Sequence, residues 1–181
     1  MTRNFTNQMR GGMALLLLGS TTLTASQALA QQQRPDLVIA VADNPATLEP
    51  AKELSNVGTR VNYSIFDTLI RRDFLSQPGG GGSELVPGLA TSWERIDDVT
   101  FEVKLREGVT FHNGADFTAE DVVFTFSPER MLGEGTQLPE GKAYFSVLER
   151  VEAIDDYTVR FTTTAPDPLF EQRLASWASW I

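Results

Sequence analysis

The stretch Leu85–Phe126, LVPGLATSWERIDDVTFEVKLREGVTFHNGADFTAEDVVFTF, spells out a complete supersecondary unit. Ala90–Ile96 leads into Asp97-Asp98, a two-residue turn signal. Thr100–Arg106 then alternates strictly. Phe101, Val103 and Leu105 face one way, while Glu102, Lys104 and Arg106 face the other, the pattern of a half-buried strand. Val109–Phe111 is a second strand-like piece, and Asn113-Gly114 makes another turn. Thr118 opens a helix: its hydroxyl can cap, Asp121 completes a capping-box pattern, and Phe117 and Val122 occupy the staple positions. Glu120 and Asp121 place negative charge where the helix dipole favours it.

Downstream, Ser127-Pro128 ends that helix near Phe126, because proline pushes the preceding residue out of the helical region. Ser127 can cap a short second helix with Pro128 at its first position. Gly133–Gly141 reads as a loop. Val147–Ile154 and Tyr157–Thr163 form another hairpin, with Tyr157, Val159 and Phe161 on one face. Its turn, Ile154-Asp155-Asp156-Tyr157-Thr158, echoes Ile96-Asp97-Asp98-Val99-Thr100, a turn used twice and not a repeat architecture. From Asp167 and Pro168 a last helix carries Phe170, Leu174, Trp177 and Ile181 in one stripe, without a stop signal. An apolar face still running at Ile181 leads us to expect a longer protein, with partners for Trp177 and Trp180 further on.

Upstream, Gln77–Ser83 (QPGGGGS) is a flexible loop, since four glycines hold neither strand nor helix. It lacks the Lys-Ser/Thr that a phosphate-cradling loop requires; Ser83-Glu84 follows instead. Asn56–Ile70 carries Val57, Val61, Ile65 and Leu69 at helical spacing and predicts an amphipathic helix capped by Ser55 or Asn56, with Arg71-Arg72 at its end. Asp36–Ala42 (DLVIAVA) predicts a central strand buried on both faces.

The first thirty residues read as a secretory leader: Arg3 and Arg10, a short apolar run Met13–Leu18, and a small-x-small cleavage site Ala28-Leu29-Ala30. The run is far below the roughly 18 residues of a spanning helix. Cleavage after Ala30 removes two arginines and no acid, taking the formal charge from −9 to −11. So acidic a product lacks an electrostatic footprint for nucleic acid or anionic lipid. With no cysteine in an exported chain, stability must come from the core of the 151 residues Gln31–Ile181.

Catalytic chemistry finds little purchase. His112 is the only histidine and sits in a turn, so a transition-metal site has few ligands to draw on. The acid pairs Asp97-Asp98, Glu120-Asp121 and Asp155-Asp156 occupy turns and a helix start, where acids serve local structure. A general acid–base pair needs carboxylates converging across a cleft. The serines show no nucleophile elbow. Trp93, in a hairpin, reads as core.

The linked pieces LVPGLATSW…FEVKLREGVTFHNG…FTAEDVVFTF resemble the signature of the family 5 extracellular solute-binding proteins, the peptide- and nickel-type receptors of bacterial ABC importers. Leu48–Ala51 (LEPA) and Val151–Pro168 (VEAIDDYTVRFTTTAPDP) also resemble that pattern. The resemblance covers nearly all of the chain after the leader, and the N-terminal part of a much longer family. It implies an α/β fold with a mixed sheet and hairpins, the first lobe of a two-lobed type II periplasmic binding protein, incomplete at Ile181. It also implies a monomeric periplasmic receptor without cofactor or enzymatic activity, capturing an oligopeptide or similar solute for an inner-membrane ABC permease. In that fold the ligand lies between lobes, and the corresponding loops here hold Ser55, Asn56 and Tyr144. Tyr144 offers stacking or a hydrogen bond, and Ser55 and Asn56 offer polar groups. Equally, Ser55 and Asn56 can serve only as caps and Tyr144 can pack on the hairpin. The acid that pairs with a peptide's amine in peptide-binding members lies beyond residue 181. The alternatives are a secreted hydrolase whose catalytic residues lie further on, or an inactive fragment. On export in a Gram-negative host, we expect the mature chain to begin at Gln31. Intact mass with the leader still attached would contradict the cleavage site.

Overall fold

The alternation read in the sequence becomes a four-stranded sheet. In the structure, a computed structural model, the described residues are 38–181 apart from Leu54 and Gly79. The leader, Asp36 and Leu37 lie outside them. The elements in chain order are α1 (Asn56–Asn62), β1 (Ile70–Arg72), β2 (Leu85–Pro87), β3 (Ala90–Arg95), β4 (Thr100–Leu105) and α2 (Ala119–Thr125). After a π-helical turn at Pro128–Leu132 come α3 (Pro139–Tyr144), β5 (Leu148–Asp155), β6 (Thr158–Thr163), α4 (Phe170–Leu174) and a 3₁₀ turn at Trp177–Ser179. The chain is mixed α/β, and every strand pairing is antiparallel: β1 with β2, and the sheet β3-β4-β6-β5.

The two hairpins are joined through their middle strands. Phe101 lies opposite Phe161 and Val103 opposite Val159 on β4 and β6, and all four are buried. The outer strands, β3 and β5, each carry register shifts and exposed charges, devices that keep an edge from pairing with another chain. Both turns are tied the same way. Asp97 accepts the Val99 N–H at 2.8 Å, and Asp155 accepts the Tyr157 N–H at 2.9 Å. The Val99 amide holds the Asp97 carboxyl below its ordinary value, and the Thr158 hydroxyl leads the same effect at Asp155.

The helix start at Thr118 forms as read, chiefly through its acid. The Asp121 carboxylate accepts the Thr118 N–H at 2.8 Å, and Phe117 and Val122 are buried beneath it. The helix stops before Ser127, whose Oγ accepts the Arg130 N–H of the next turn at 3.2 Å. Phenylalanines from five places then meet. Phe161 packs edge-to-face with Phe126 (5.5 Å between centroids) and near Phe170 (5.5 Å). Phe101 meets Phe170 at 5.3 Å, and Phe126 meets Phe145 at 5.2 Å.

Several expectations are corrected. No strand runs through residues 38–42, and Val38, Ile39 and Val41 are exposed. The helix predicted over Asn56–Ile70 is only seven residues long, and its buried face is Gly58 and Asn62, while Ile65 is exposed. Leu69 and Ile70 are buried instead through backbone pairing. The Leu69 carbonyl accepts the N–H groups of Gly88 and Ala90, and the Thr68 carbonyl accepts that of Leu89. A Cβ at Gly88 would lie 2.3 Å from the Thr68 oxygen, so glycine is required for this approach. Arg71 and Arg72 consequently belong to β1 and not to a helix end.

Val109–Phe111 makes no strand of its own; Thr110 forms an isolated bridge with Asp116, and Asn113-Gly114 turns between them with Gly114 at φ 84°. The loop from Gly133 gives way to α3 at Pro139. The last helix has five residues, and its stripe finds partners within the described chain. Phe170, Leu174 and Trp180 are buried, Trp180 bridges to Thr68, and the Ile181 N–H donates to the Asp67 carbonyl at 2.9 Å. Trp93 is half-buried against the core.

Phe161, with no exposed surface, sits at the crossing of these contacts, and Phe124 is 67% exposed. We expect Phe161→Ala to cost about 3–5 kcal/mol in urea unfolding, and Phe124→Ala to stay within about 0.5 kcal/mol. Similar losses at the two positions would refute this placement of the core.

Candidate functional site

Residues 46–55 form a loop folded around one carboxylate. Glu53, 4% exposed, accepts N–H groups from Ala46 (2.8 Å), Thr47 (3.4 Å) and Ser55 (2.9 Å). Its stem fills the space beside Gly58, where a Cβ would lie 1.9 Å from the Glu53 Cγ. The Ser55 hydroxyl and backbone N–H, followed by the Ala46 and Thr47 amides, hold the Glu53 carboxyl below its ordinary 4.5, against the opposing effect of burial. With its oxygens so engaged, Glu53 is a loop-former.

Ser55 caps α1, its Oγ accepting the Gly58 N–H at 2.9 Å, and Asn56 is the exposed first residue of that helix. A second acid ties the loop outward. Glu49 Oε1 accepts from Arg130 Nη2 at 2.9 Å, while Arg130 Nη1 donates to the Thr125 carbonyl at 3.0 Å. The loop is thereby fastened to the C-terminal end of α2. The buried face of α1 carries Asn62, whose Oδ1 has no hydrogen-bond partner among the described residues.

Tyr144 closes α3 and is half-buried. Its ring lies 5.1 Å from Trp177, 5.3 Å from Phe145 and 5.1 Å from the Arg173 guanidinium carbon. Its carbonyl accepts from Arg173 Nη1 at 2.8 Å. Ser55 and Asn56 are neighbours by sequence, whereas Tyr144 belongs to a separate cluster. Ser55 takes the capping role; Asn56 does not, and Tyr144 packs on Trp177, Phe145 and Arg173 and not on the hairpin.

Between the segments 63–71 and 109–117 lies a cleft of about 360 Å³, walled by Tyr63, Ile65, Phe66, Val109 and Phe111, with Ile181 at its edge. Asp67 and Arg71 pair at its rim, and His112 places Nε2 3.1 Å from the Ile65 carbonyl oxygen, tying the turn to that segment. Among the described residues no group of three His, Asp or Glu side chains could hold a metal ion, and no helix is long and apolar enough to cross a membrane. Sequence reasoning missed Glu49, Glu53, Arg130 and Arg173. Glu49 and Arg130 meet across 81 residues and Arg173 reaches Tyr144 across 29, so no local pattern marks those pairs. The partners of Glu53 are local, two to seven residues away, but follow no standard capping or turn motif. The cleft likewise needs three distant segments and leaves no motif.

Comparison with known proteins bears on the whole arrangement. A profile described as "Bacterial extracellular solute-binding proteins, family 5 Middle" matches residues 84–181. "Di/tripeptide-binding protein 1" of Pseudomonas aeruginosa is 34% identical over 176 residues, covering 88% of this chain and 31% of that protein. The chain therefore spans about a third of that relative's length. Among solved structures, the periplasmic binding protein DppA from Helicobacter pylori, in complex with the peptide STSA, aligns with TM-score 0.63 at 25% identity, over 76% of this chain and 29% of that one. AgaA from A. tumefaciens R10, in complex with agropinic acid, aligns with TM-score 0.66 at 26% identity, over 76% and 26%.

The Glu53 geometry sets a pH dependence. Because its folded value is below 4.5, its stabilisation of the loop is complete above 4.5 and is lost as pH falls through the folded value. Amide exchange at Ala46, Thr47 and Ser55 should show protection that declines on acidification below that point. Glu53→Gln should weaken this protection at neutral pH and flatten its pH profile. An unchanged profile in the variant would refute the role of the carboxylate.

Proposed function

Since the chain belongs to the family 5 extracellular solute-binding proteins, we propose that it is part of a periplasmic receptor that captures a small peptide or similar solute for an inner-membrane ABC permease. The observation that carries this reading is the family match across 84–181, the residues that build the sheet and its covering helices. The names of the relatives favour a peptide ligand: one is a di/tripeptide-binding protein, and one is solved in complex with the peptide STSA. The family consists of solute-binding proteins, which are not enzymes.

In this reading residues 31–181 form the first lobe of a two-lobed, monomeric binder, preceded by a cleaved leader. Ligand binding shifts an open–closed equilibrium by contacting both lobes, so its binding energy is realised only on closure. Ser55 and Asn56 contribute polar contacts from the loop held by Glu53 and Arg130. Tyr144 contributes its hydroxyl and ring. ATP hydrolysis belongs to the permease.

The test is calorimetric titration of the full-length protein with di- and tripeptides, beside the 31–181 segment alone. We expect micromolar or tighter binding by the full-length protein and no measurable binding by the segment, because half a cleft buries too little ligand surface. Turnover of the peptide by the full-length protein would overturn the receptor reading. Tight binding by the segment alone would overturn the division of the cleft between two lobes.

A further inference from the structure

Arg173 is engaged from three directions, and two of them lead to Tyr144. Its Nε donates to Asp167 Oδ2 at 2.8 Å, and its Nη1 donates to the Tyr144 carbonyl at 2.8 Å. Its guanidinium carbon lies 5.1 Å from the Tyr144 ring centroid. The carbonyl belongs to the last residue of α3, where a helix leaves acceptors unsatisfied and a cation is favoured. We infer that Arg173 is the positioning residue for Tyr144, holding the ring and the end of α3 in a fixed orientation toward the ligand. This rests on the reading of Tyr144 as a ligand contact.

Three observations carry it. First, only a planar fork can bond at Nε and Nη1 along different directions while also lying near an aromatic ring; a lysine ammonium is a single point charge. Second, the charge of Arg173 is already met. Asp167 is 6% exposed, and its other oxygen accepts the Leu169 N–H at 2.9 Å. The Asp167 carbonyl accepts from Arg95 Nη2 at 3.1 Å, and Arg95 pairs with Glu171 at 2.8 Å. A continuous set of polar contacts thus runs from β3 through residues 167–171 to Arg173 and Tyr144. Arg173 is not a free cation waiting for a ligand carboxylate. Third, the Tyr144 ring is flanked by Trp177 at 5.1 Å and Phe145 at 5.3 Å, so it is held on two sides besides the guanidinium. The ring of a half-buried tyrosine is thus held in place. What such a group recognises is a neutral amide, through its hydroxyl, or an apolar face, through its ring.

The test is a double-mutant cycle in the full-length protein with Arg173→Lys, Tyr144→Ala and their combination, titrated with the dipeptide alanyl-phenylalanine. Arg173→Lys keeps a charge opposite Asp167 and loses the fork. We expect it to weaken binding roughly three- to tenfold and to add nothing further in the Tyr144→Ala background. We also expect the Tyr144 ring resonances to move in the Arg173→Lys protein without ligand. Arg173→Gln, which loses the charge opposite Asp167 as well as the fork, is the second variant and should bind at least as weakly as Arg173→Lys; wild-type affinity in it would overturn the inference. A lower melting temperature with unchanged affinity and unmoved resonances would leave Arg173 a structural residue only, with Tyr144 intact as a contact. Wild-type affinity in Tyr144→Ala would instead overturn the reading of Tyr144, and the inference with it.

Discussion

Phe101 and Phe161 face each other across β4 and β6, and three further phenylalanines gather around this pair. Phe126 reaches it from the end of α2, Phe170 from α4, and Phe145, just after α3, packs on Phe126 and Phe170. Edge-to-face contacts bring orientation as well as burial, so the helices are angled as well as attached. Tyr144 and the two arginines that tie the loops lie close to these anchors in sequence. Tyr144 adjoins Phe145 in sequence, Arg173 follows Phe170 by one helical turn, and Arg130 follows Phe126 by four residues. A loop placed one residue from a buried ring inherits that ring's position.

The acidity of the chain has a structural use that composition alone does not disclose. Asp97, Asp155, Asp121, Glu53 and Asp167 each accept a backbone N–H from a residue two to seven positions away. Charge-assisted bonds of this kind are shorter and stronger than neutral ones, and they satisfy turn donors that regular structure leaves unpaired. Carboxylates spent on the backbone are poorly suited to proton transfer or to pairing with a ligand amine. This agrees with a fold whose acids build turns.

Regularity was legible in the sequence; partnership was not. Phe101, Val103 and Leu105 alternate and are buried, and the two Asp-Asp turns join the strands as the pattern predicts. Thr118, Ser127 and Ser55 all stand where helices or turns begin. Failure came where periodicity was present but tertiary pairing competed for the same residues. Val57, Val61, Ile65 and Leu69 keep helical spacing, yet Leu69 gains more from the backbone of Gly88–Ala90 than from another helical turn. DLVIAVA is apolar enough for a buried strand, but burial is a property of neighbours. For the site, Ser55 was found as a cap because capping is local. Arg130 and Arg173 were missed because their meaning lies in residues far along the chain.

The ion pairs and the aromatic core differ in what they contribute energetically. Arg130 with Glu49 and Arg173 with Asp167 are partly buried, and desolvation offsets much of what such pairs gain by attraction. Their net effect on stability is therefore small beside that of the phenylalanine cluster, where each buried ring is worth several kcal/mol. What the pairs supply is direction. Arg130 reaches both the Glu49 loop and the last turn of α2, and Arg173 reaches both Asp167 and the end of α3. Removing either arginine would take away a tie between two separate segments, and at Arg173 it would also leave the buried Asp167 carboxylate without its partner. The family match, over residues 84–181, rests on the sheet and its helices, while the two arginines fix the loop around Glu49 and the end of α3.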